Sequence, residues 1–516
     1  MEDKIISYIV DNIIVPDCDE KDKDRAVPIT RASRLGKRVY KDTLCFLFVC
    51  AVNNVYQFEH IIKIVSSIGD GYYFVFKDGY IPTKAECNKV KKEMQRLIKE
   101  NAKIEQIRKD YNESMEILTR FKLTQAVELL KSLSVPFIPF NRCGSTYRIC
   151  HTPLAKDFSI IEYFELEKYN EGFILIHEEG EVENLNSIEN SLIYDELKKN
   201  ITAANALSID CMGTLNKLVV TGDIAQYIEI SENMQRRRFI EVADKIAKRK
   251  SIKVVFVAGP SSSNKTTFAN KLCKELKLLN YEPLQISLDD YYLTKDKVPL
   301  DESGDPDLEC IEAIDTTLFE KNLMDLYAGK EVKLPHFEFN YKRLGRRTFD
   351  SEPIKLKDNS ILVVEGIHGL NKSLCSKIDP KTIFRIYISP LIQLNIDEYT
   401  RIRTTDIRML RRIVRDYRYR NAKAIESVSM WPSVERGEKK YIFPYQHDVD
   451  AIINSSHEYE IAVLSEFALP LLRTITPNDG AVNYMTALNL IQLILKVNPI
   501  PSYVVPDSSM LHEFIG

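Results

Sequence analysis

The stretch Gly259-Pro260-Ser261-Ser262-Ser263-Asn264-Lys265-Thr266-Thr267 has the residue types that hold a polyphosphate. Small side chains let consecutive backbone N–H groups curl around an anion, and a helix N-terminus that follows adds partial positive charge. In the pattern G-x-x-x-x-G-K-[ST] the lysine reaches the β- and γ-phosphates and the hydroxyl sits on Mg2+. That assigns these tasks to Lys265 and Thr266 within a nucleotide-binding loop over 259–267. One position departs from the pattern, because Asn264 stands where glycine is specified. Asparagine tolerates left-handed backbone, so the turn is expected to persist, while its side chain is expected to crowd the approach to phosphate. The competing reading of this segment is an ordinary strand-to-helix turn with a serine-rich N-cap.

Three further features could complete a transfer site. Asp289, in Asp289-Asp290-Tyr291-Tyr292, follows an apolar run. A carboxylate there can accept the proton of a hydroxyl attacking a phosphate, its alternative being a helix N-cap. Glu365 ends a second apolar run and could order Mg2+ beside Thr266, directly or through water, or serve as a buried ion-pair partner. Residues 401–420 hold Arg401, Arg403, Arg408, Arg411, Arg412, Arg415, Arg418 and Arg420 against only Asp406 and Asp416. Arg408, Arg411, Arg412 and Arg415 share one helical face. Such a face can close as a lid and stabilise charge on a transferring group. A solvated basic face and a nucleic-acid footprint are the alternatives, and the second lacks aromatic residues beyond Tyr417 and Tyr419 to stack bases.

These residues need a scaffold, and hydrophobic periodicity supplies one. Lys253–Ala258 reads as a buried strand before the loop, with helical spacing from Phe268 to Leu279. Pro283–Leu288 and Ile361–Gly366 read as further buried strands, so 236–465 alternates strand and helix as a parallel α/β sheet requires. In such a sheet the carboxyl ends of strands surround the ligand. The N-terminal half has a different style. Residues 1–40 read as a short element and linker, followed by a helix-like run over 43–56 and a strand over 72–76. Thr83 and Glu86 form a capping box for a helix to about Asn101, and a second charged helix covers roughly 114–133. A strand over 172–177 and a long helix over about 231–250 complete an α+β region at 41–235, while 466–516 reads as a C-terminal helix and tail.

Bulk composition narrows the class. A chain of 516 residues exceeds one ordinary core, and 44% apolar with 28% charged residues is ordinary for a globular protein. A net charge of −3 gives no global case for nucleic acid or membrane. Glu2 and Asp3 stand where a signal peptide would be basic, no apolar run reaches membrane-spanning length, and the ten cysteines form no CxxC pair. A cytoplasmic setting with buried, unpaired thiols is the expectation.

Two resemblances follow. His60, Gly69, Gly71-Tyr72-Tyr73-Phe74, Met94 and Leu97-Ile98 resemble the second additional domain of threonyl-tRNA synthetases. The histidine and Cys/His pairs of that family are incomplete here, since Cys143, Cys150 and His151 lack workable ligand spacing, so an inactive copy is expected. The second half resembles the uridine kinase and phosphoribulokinase family of P-loop phosphotransferases. It does so through 259–267, Asp289-Asp290-Tyr291-Tyr292, Asp305-Pro306-Asp307-Leu308-Glu309, Ala313-Ile314-Asp315, Pro335-His336-Phe337-Glu338-Phe339, Glu365-Gly366-Ile367 and Arg411-Arg412-Ile413-Val414-Arg415-Asp416. The resemblance implies a P-loop NTPase-type parallel sheet flanked by helices, with ATP and Mg2+ as cofactors. It also implies Asp289 as general base, Glu309 as ribose ligand, and Arg412 and Arg415 on phosphates, with Tyr292, Phe337 and Arg343 on the acceptor side. The implied reaction is phosphorylation of the 5′-hydroxyl of a uridine- or cytidine-like nucleoside. The tyrosine and histidine of nucleoside specialists are absent, Phe337 and Lys342 standing at those places. A kinase for another small alcohol, or a nucleotide-binding regulator weakened by Asn264, are the alternatives. Neither a membrane nor a nucleic acid is expected as partner, and a homo-oligomer is left open.

Overall fold

The computed structural model describes residues 4–68, 71–178, 192–207, 209–294, 296–301, 304–338, 346–446 and 448–516. Two compact units make up the chain, and neither is a continuous span. The first comprises Met1–Ile224, Gln393–Arg403 and Leu472–Ile500; the second comprises Ala225–Ile392, Thr404–Leu471 and Pro501–Gly516. The boundaries expected from sequence cut the chain into consecutive pieces. The units instead exchange segments, so 466–516 is divided between them. Among the described residues, no helix is long and apolar enough to cross a membrane.

The first unit is α+β. Residues 5–30, expected as a short element and linker, form an antiparallel sheet in the order Ile13–Val15, Ile5–Val10, Val27–Thr30. The apolar run expected from Thr43 begins earlier, in the helix Arg34–Tyr56, where Ser33 caps the Gly36 N–H. This helix lies buried against an antiparallel sheet ordered Ile62–Ile68, Gly71–Phe76, Gly172–Ile176, Glu165–Tyr169. The Thr83/Glu86 capping box is formed and starts the helix Lys84–Lys99. The single charged helix expected over 114–133 is two, Tyr111–Arg120 and Thr124–Ser132, because the intervening Lys122 takes φ 56°. The segment Gln393–Arg403 contributes buried acids to this unit. Glu398 accepts from Lys77 Nζ at 2.6 Å and from the Gln125 and Ala126 N–H groups, satisfying the first turn of Thr124–Ser132. Asp397 pairs with the buried His151 at 2.7 Å.

The second unit is a parallel five-stranded sheet flanked by helices, the expected fold class. The strand order is Glu282–Ser287, Ser360–Glu365, Val254–Ala258, Ile383–Ser389, Ala451–Asn454. Strand residues alternate between faces. Val255 and Val257 pack with Phe268, Leu272 and Phe239 on one side, and Val254 and Phe256 with Phe319 and Leu323 on the other. Both faces are therefore buried, which is why the strands read as continuous apolar runs. The register sets Ser287 and Val257 level with Glu365. The carboxyl ends of three strands thus finish together, where the candidate site residues sit.

Candidate active site

The phosphate loop is built by backbone handedness. Ser262 and Asn264 both have positive φ, 58° and 66°, and helix Lys265–Leu278 begins directly after them. Among the described residues no group accepts from the N–H groups of Ser262, Ser263 or Asn264, which leaves three successive backbone donors at the start of the helix. The buried hydroxyls of Ser262 and Ser263 are likewise without partners. Gly259 is required by close approach, because a Cβ there would strike the Ile388 carbonyl. Successive backbone donors at a helix N-terminus suit an anion.

Asn264 behaves differently from the expectation. Its side chain is buried, and Nδ2 donates to the Met510 carbonyl at 2.9 Å and to Glu513 Oε2 at 3.1 Å. Its Oδ1 accepts from Arg411 Nη1 at 2.9 Å. The Asn264 side chain therefore does not crowd the loop's N–H groups, because all of its polar atoms are engaged by Met510, Glu513 and Arg411.

Lys265 Nζ donates to the Pro260 carbonyl of its own loop at 3.0 Å. Burial lowers its pKa, opposed by the charges of Glu365, Asp289 and Glu513. Thr266 Oγ1 donates to Glu365 Oε1 at 3.1 Å, and Ser287 Oγ donates to the same oxygen at 2.7 Å. Burial, then the Asp289 charge, pushes the Glu365 carboxyl up to about 7. A hydroxyl and a carboxylate are hard oxygen donors, so Thr266 and Glu365 fit Mg2+. Asp290, the neighbour of Asp289, is occupied elsewhere. Its Oδ1 accepts from the Phe337 N–H at 3.1 Å and lies 3.0 Å from His336 Nδ1, tying down the strand His336–Glu338.

The arginine helix, Thr404–Arg420, is packed in rather than poised as a lid. Arg408 forms a two-pronged pair with Glu438, a residue of helix Ala424–Tyr441 that also accepts from the Ser261 N–H at 3.1 Å. Arg411 is fully buried and meets Glu460 at 2.5 Å. These two arginines are therefore structural. Arg412 donates to Ser261 Oγ at 3.1 Å, and both Arg412 and Arg415 pair with Asp416. Arg415 also lies within electrostatic reach of Lys265. Three of the four arginines on the expected face touch the loop: Arg408 at the Ser261 carbonyl, Arg411 at the Ser262 carbonyl and Asn264, and Arg412 at the Ser261 hydroxyl.

The acceptor-side residues gather beside this edge. Tyr292 and Phe337 pack together, their rings 6.2 Å apart. Burial pushes Glu309 up to about 7 against the pull of Arg412, and its Oε2 is buried without a hydrogen bond. Gly437 makes room for it, since a Cβ there would overlap the Cβ of Glu309. Arg343, Lys342 and Phe339 lie outside the described residues. Sequence reasoning missed His368, which is 1% exposed, with both ring nitrogens short of hydrogen-bond geometry beside the backbone of Glu309 and Cys310. Burial lowers it to about 4, so it is neutral. Its place three residues after Glu365, in the turn beyond that strand, was the available signal. In the first unit, His60 pairs with Asp78 and stacks on Tyr80, and Cys150 donates to the Thr152 carbonyl.

Residues 254–462 match the phosphoribulokinase / uridine kinase family. The uridine kinases of Macrococcus caseolyticus and Staphylococcus aureus are 29% and 28% identical over 212 residues, which is 41% of this chain and 91% of each relative. The D-glycerate 3-kinase of Cryptococcus neoformans is 18% identical with a TM-score of 0.25, covering 50% of this chain and 87% of that one.

Proposed function

We propose that the second unit is an ATP-dependent kinase that phosphorylates the 5′-hydroxyl of a uridine- or cytidine-like nucleoside, giving the nucleoside monophosphate and ADP. The observation that carries the reading is convergence on one sheet edge. The backbone donors of the loop, Lys265, and Glu365 with the Thr266 and Ser287 hydroxyls on one of its oxygens lie there, within electrostatic reach of Asp289. The names of the aligned relatives support the acceptor class.

The loop over 259–267 would hold the triphosphate, with Lys265 at the β- and γ-phosphates. Thr266 and Glu365 would hold Mg2+, which would supply neutralisation of phosphate charge. Asp289 would take the proton of the acceptor hydroxyl as its oxygen bonds to the γ-phosphorus and the bond to the β-phosphate oxygen breaks. Arg412 and Arg415 would stabilise charge on the transferring group. Tyr292 and Phe337 would flank the acceptor, and Glu309, held near neutrality, would exchange a hydrogen bond with a sugar hydroxyl.

A second reading keeps the chemistry and changes the alcohol. Phe337 offers no hydroxyl to a pyrimidine edge, and sites without polar partners discriminate weakly. The purified chain incubated with γ-labelled ATP, Mg2+ and a panel of nucleosides, sugars and sugar phosphates separates the two. Label in uridine or cytidine monophosphate is the expected result. Label only in a non-nucleoside product selects the second reading, and no labelled product with any acceptor refutes both.

A further inference from the structure

The departure from the glycine pattern at Asn264 has a partner elsewhere in the second unit. We propose that the segment 501–516 is a strap that fixes the phosphate loop through Asn264, with Glu513 as a positioning residue for nucleotide binding. This inference rests on the nucleotide reading of the loop.

The geometry is specific. A glycine would reach φ 66° freely but would offer no side chain, whereas an L-residue held there needs compensation. Asn264 receives it from three directions: the Met510 carbonyl, the Glu513 carboxylate and the Arg411 guanidinium. Glu513 Oε2 also accepts from Thr267 Oγ1 at 2.6 Å. One carboxylate oxygen therefore grips the residues on either side of Lys265 and Thr266, which carry the phosphate contacts.

The strap is seated independently of that grip. Met510 is buried in the sheet core with Phe268 and Ala269. Phe514 lies buried beneath Arg411, the guanidinium 5.0 Å from the ring centre. Lys271 Nζ donates to the Ser508 carbonyl. Removing the Glu513 carboxylate should thus leave the segment docked while releasing its hold on the loop. The charge of Glu513 is also felt by Lys265, so a repulsive role toward phosphate is the opposing possibility to be tested.

The test is a double-mutant cycle on the full chain, with the Kd for Mg·ATP measured calorimetrically and thermal melts recorded alongside. Glu513→Ala should weaken ATP binding about tenfold in the Asn264 background, the loss expected for a hydrogen bond to a charged group. In the Asn264→Gly background the same change should cost less than about twofold, because glycine holds the turn without the strap. Glu513→Gln keeps an acceptor oxygen for Asn264 and Thr267 and should restore most of the affinity. Equal losses in both backgrounds would make Glu513 merely structural and overturn the proposal, as would no change or tighter binding. Lys265→Ala is the control on the underlying reading. If it leaves ATP binding intact, the nucleotide assignment of the loop falls and the strap with it. If it abolishes binding while Glu513→Ala does nothing, only the strap falls.

Discussion

At the scale of single residues, the chemistry depends on carboxyl groups whose protonation is set by burial. Glu365 titrates near 7 because desolvation and the Asp289 charge disfavour its ionised form. If Glu365 holds Mg2+ as proposed, the metal needs the carboxylate, so protons compete with it wherever the pH lies below that value. The affinity of the chain for Mg2+ should therefore fall by about tenfold per pH unit on going below 7, and level off above it. A Mg2+ titration in the presence of ATP from pH 5.5 to 8 checks this, and Glu365→Gln should flatten the profile. Lys265, Thr266, Asp289 and Glu365 were legible in the sequence because each ends a strand or opens a helix at a fixed offset. The direction of Asn264 was not legible. Its partners, Met510 and Glu513, lie more than two hundred residues away, and no local rule connects them. His368 lies in the turn beyond the strand that ends at Glu365, with nothing in its neighbours to mark it.

Among the elements, the arginine helix carries two kinds of arginine on one face: Arg408 and Arg411, paired with buried acids of other helices, and Arg412 and Arg415, paired with Asp416 of their own helix. Arg411 and Glu460 are both fully buried and paired, so deleting one partner strands the other charge. Arg411→Met should lower stability by about 3–5 kcal/mol, read from chemical denaturation. Arg412→Lys keeps the charge but loses the guanidinium fork, and should leave stability nearly unchanged while slowing transfer. Equal destabilisation by both would contradict the division. The sequence announced this helix through its arginines and their spacing. It could not say which of them meet acids, because Glu438 and Glu460 belong to other helices whose packing is tertiary. The same limit applies to residues 111–132, where the charged periodicity runs through Lys122 although its backbone turns left-handed and splits the helix.

For the whole molecule, the division into units departs from chain order. The α/β sheet of the second unit was legible from its buried apolar strands. The return of Gln393–Arg403 to the first unit was not, since its two strands, Asn395–Asp397 and Thr400–Arg401, are too short to carry a periodic signal. That segment supplies Asp397 to His151 and Glu398 to Lys77 and two helix-end N–H groups. A fragment of residues 1–235 lacks both acids, so it should melt without a cooperative transition, and a sharp melt at the temperature of the full chain would contradict the division. The central claim is that one sheet edge both binds ATP and moves its terminal phosphoryl group. The most direct measurement pairs ATP affinity with labelled-product formation for the full chain and two variants, using the best acceptor of the panel. Lys265→Ala should lose both ATP binding and product. Asp289→Asn should bind ATP within about twofold of the unaltered chain while product formation falls by at least about a hundredfold. Undiminished transfer in Asp289→Asn, or undiminished ATP binding in Lys265→Ala, would contradict the account.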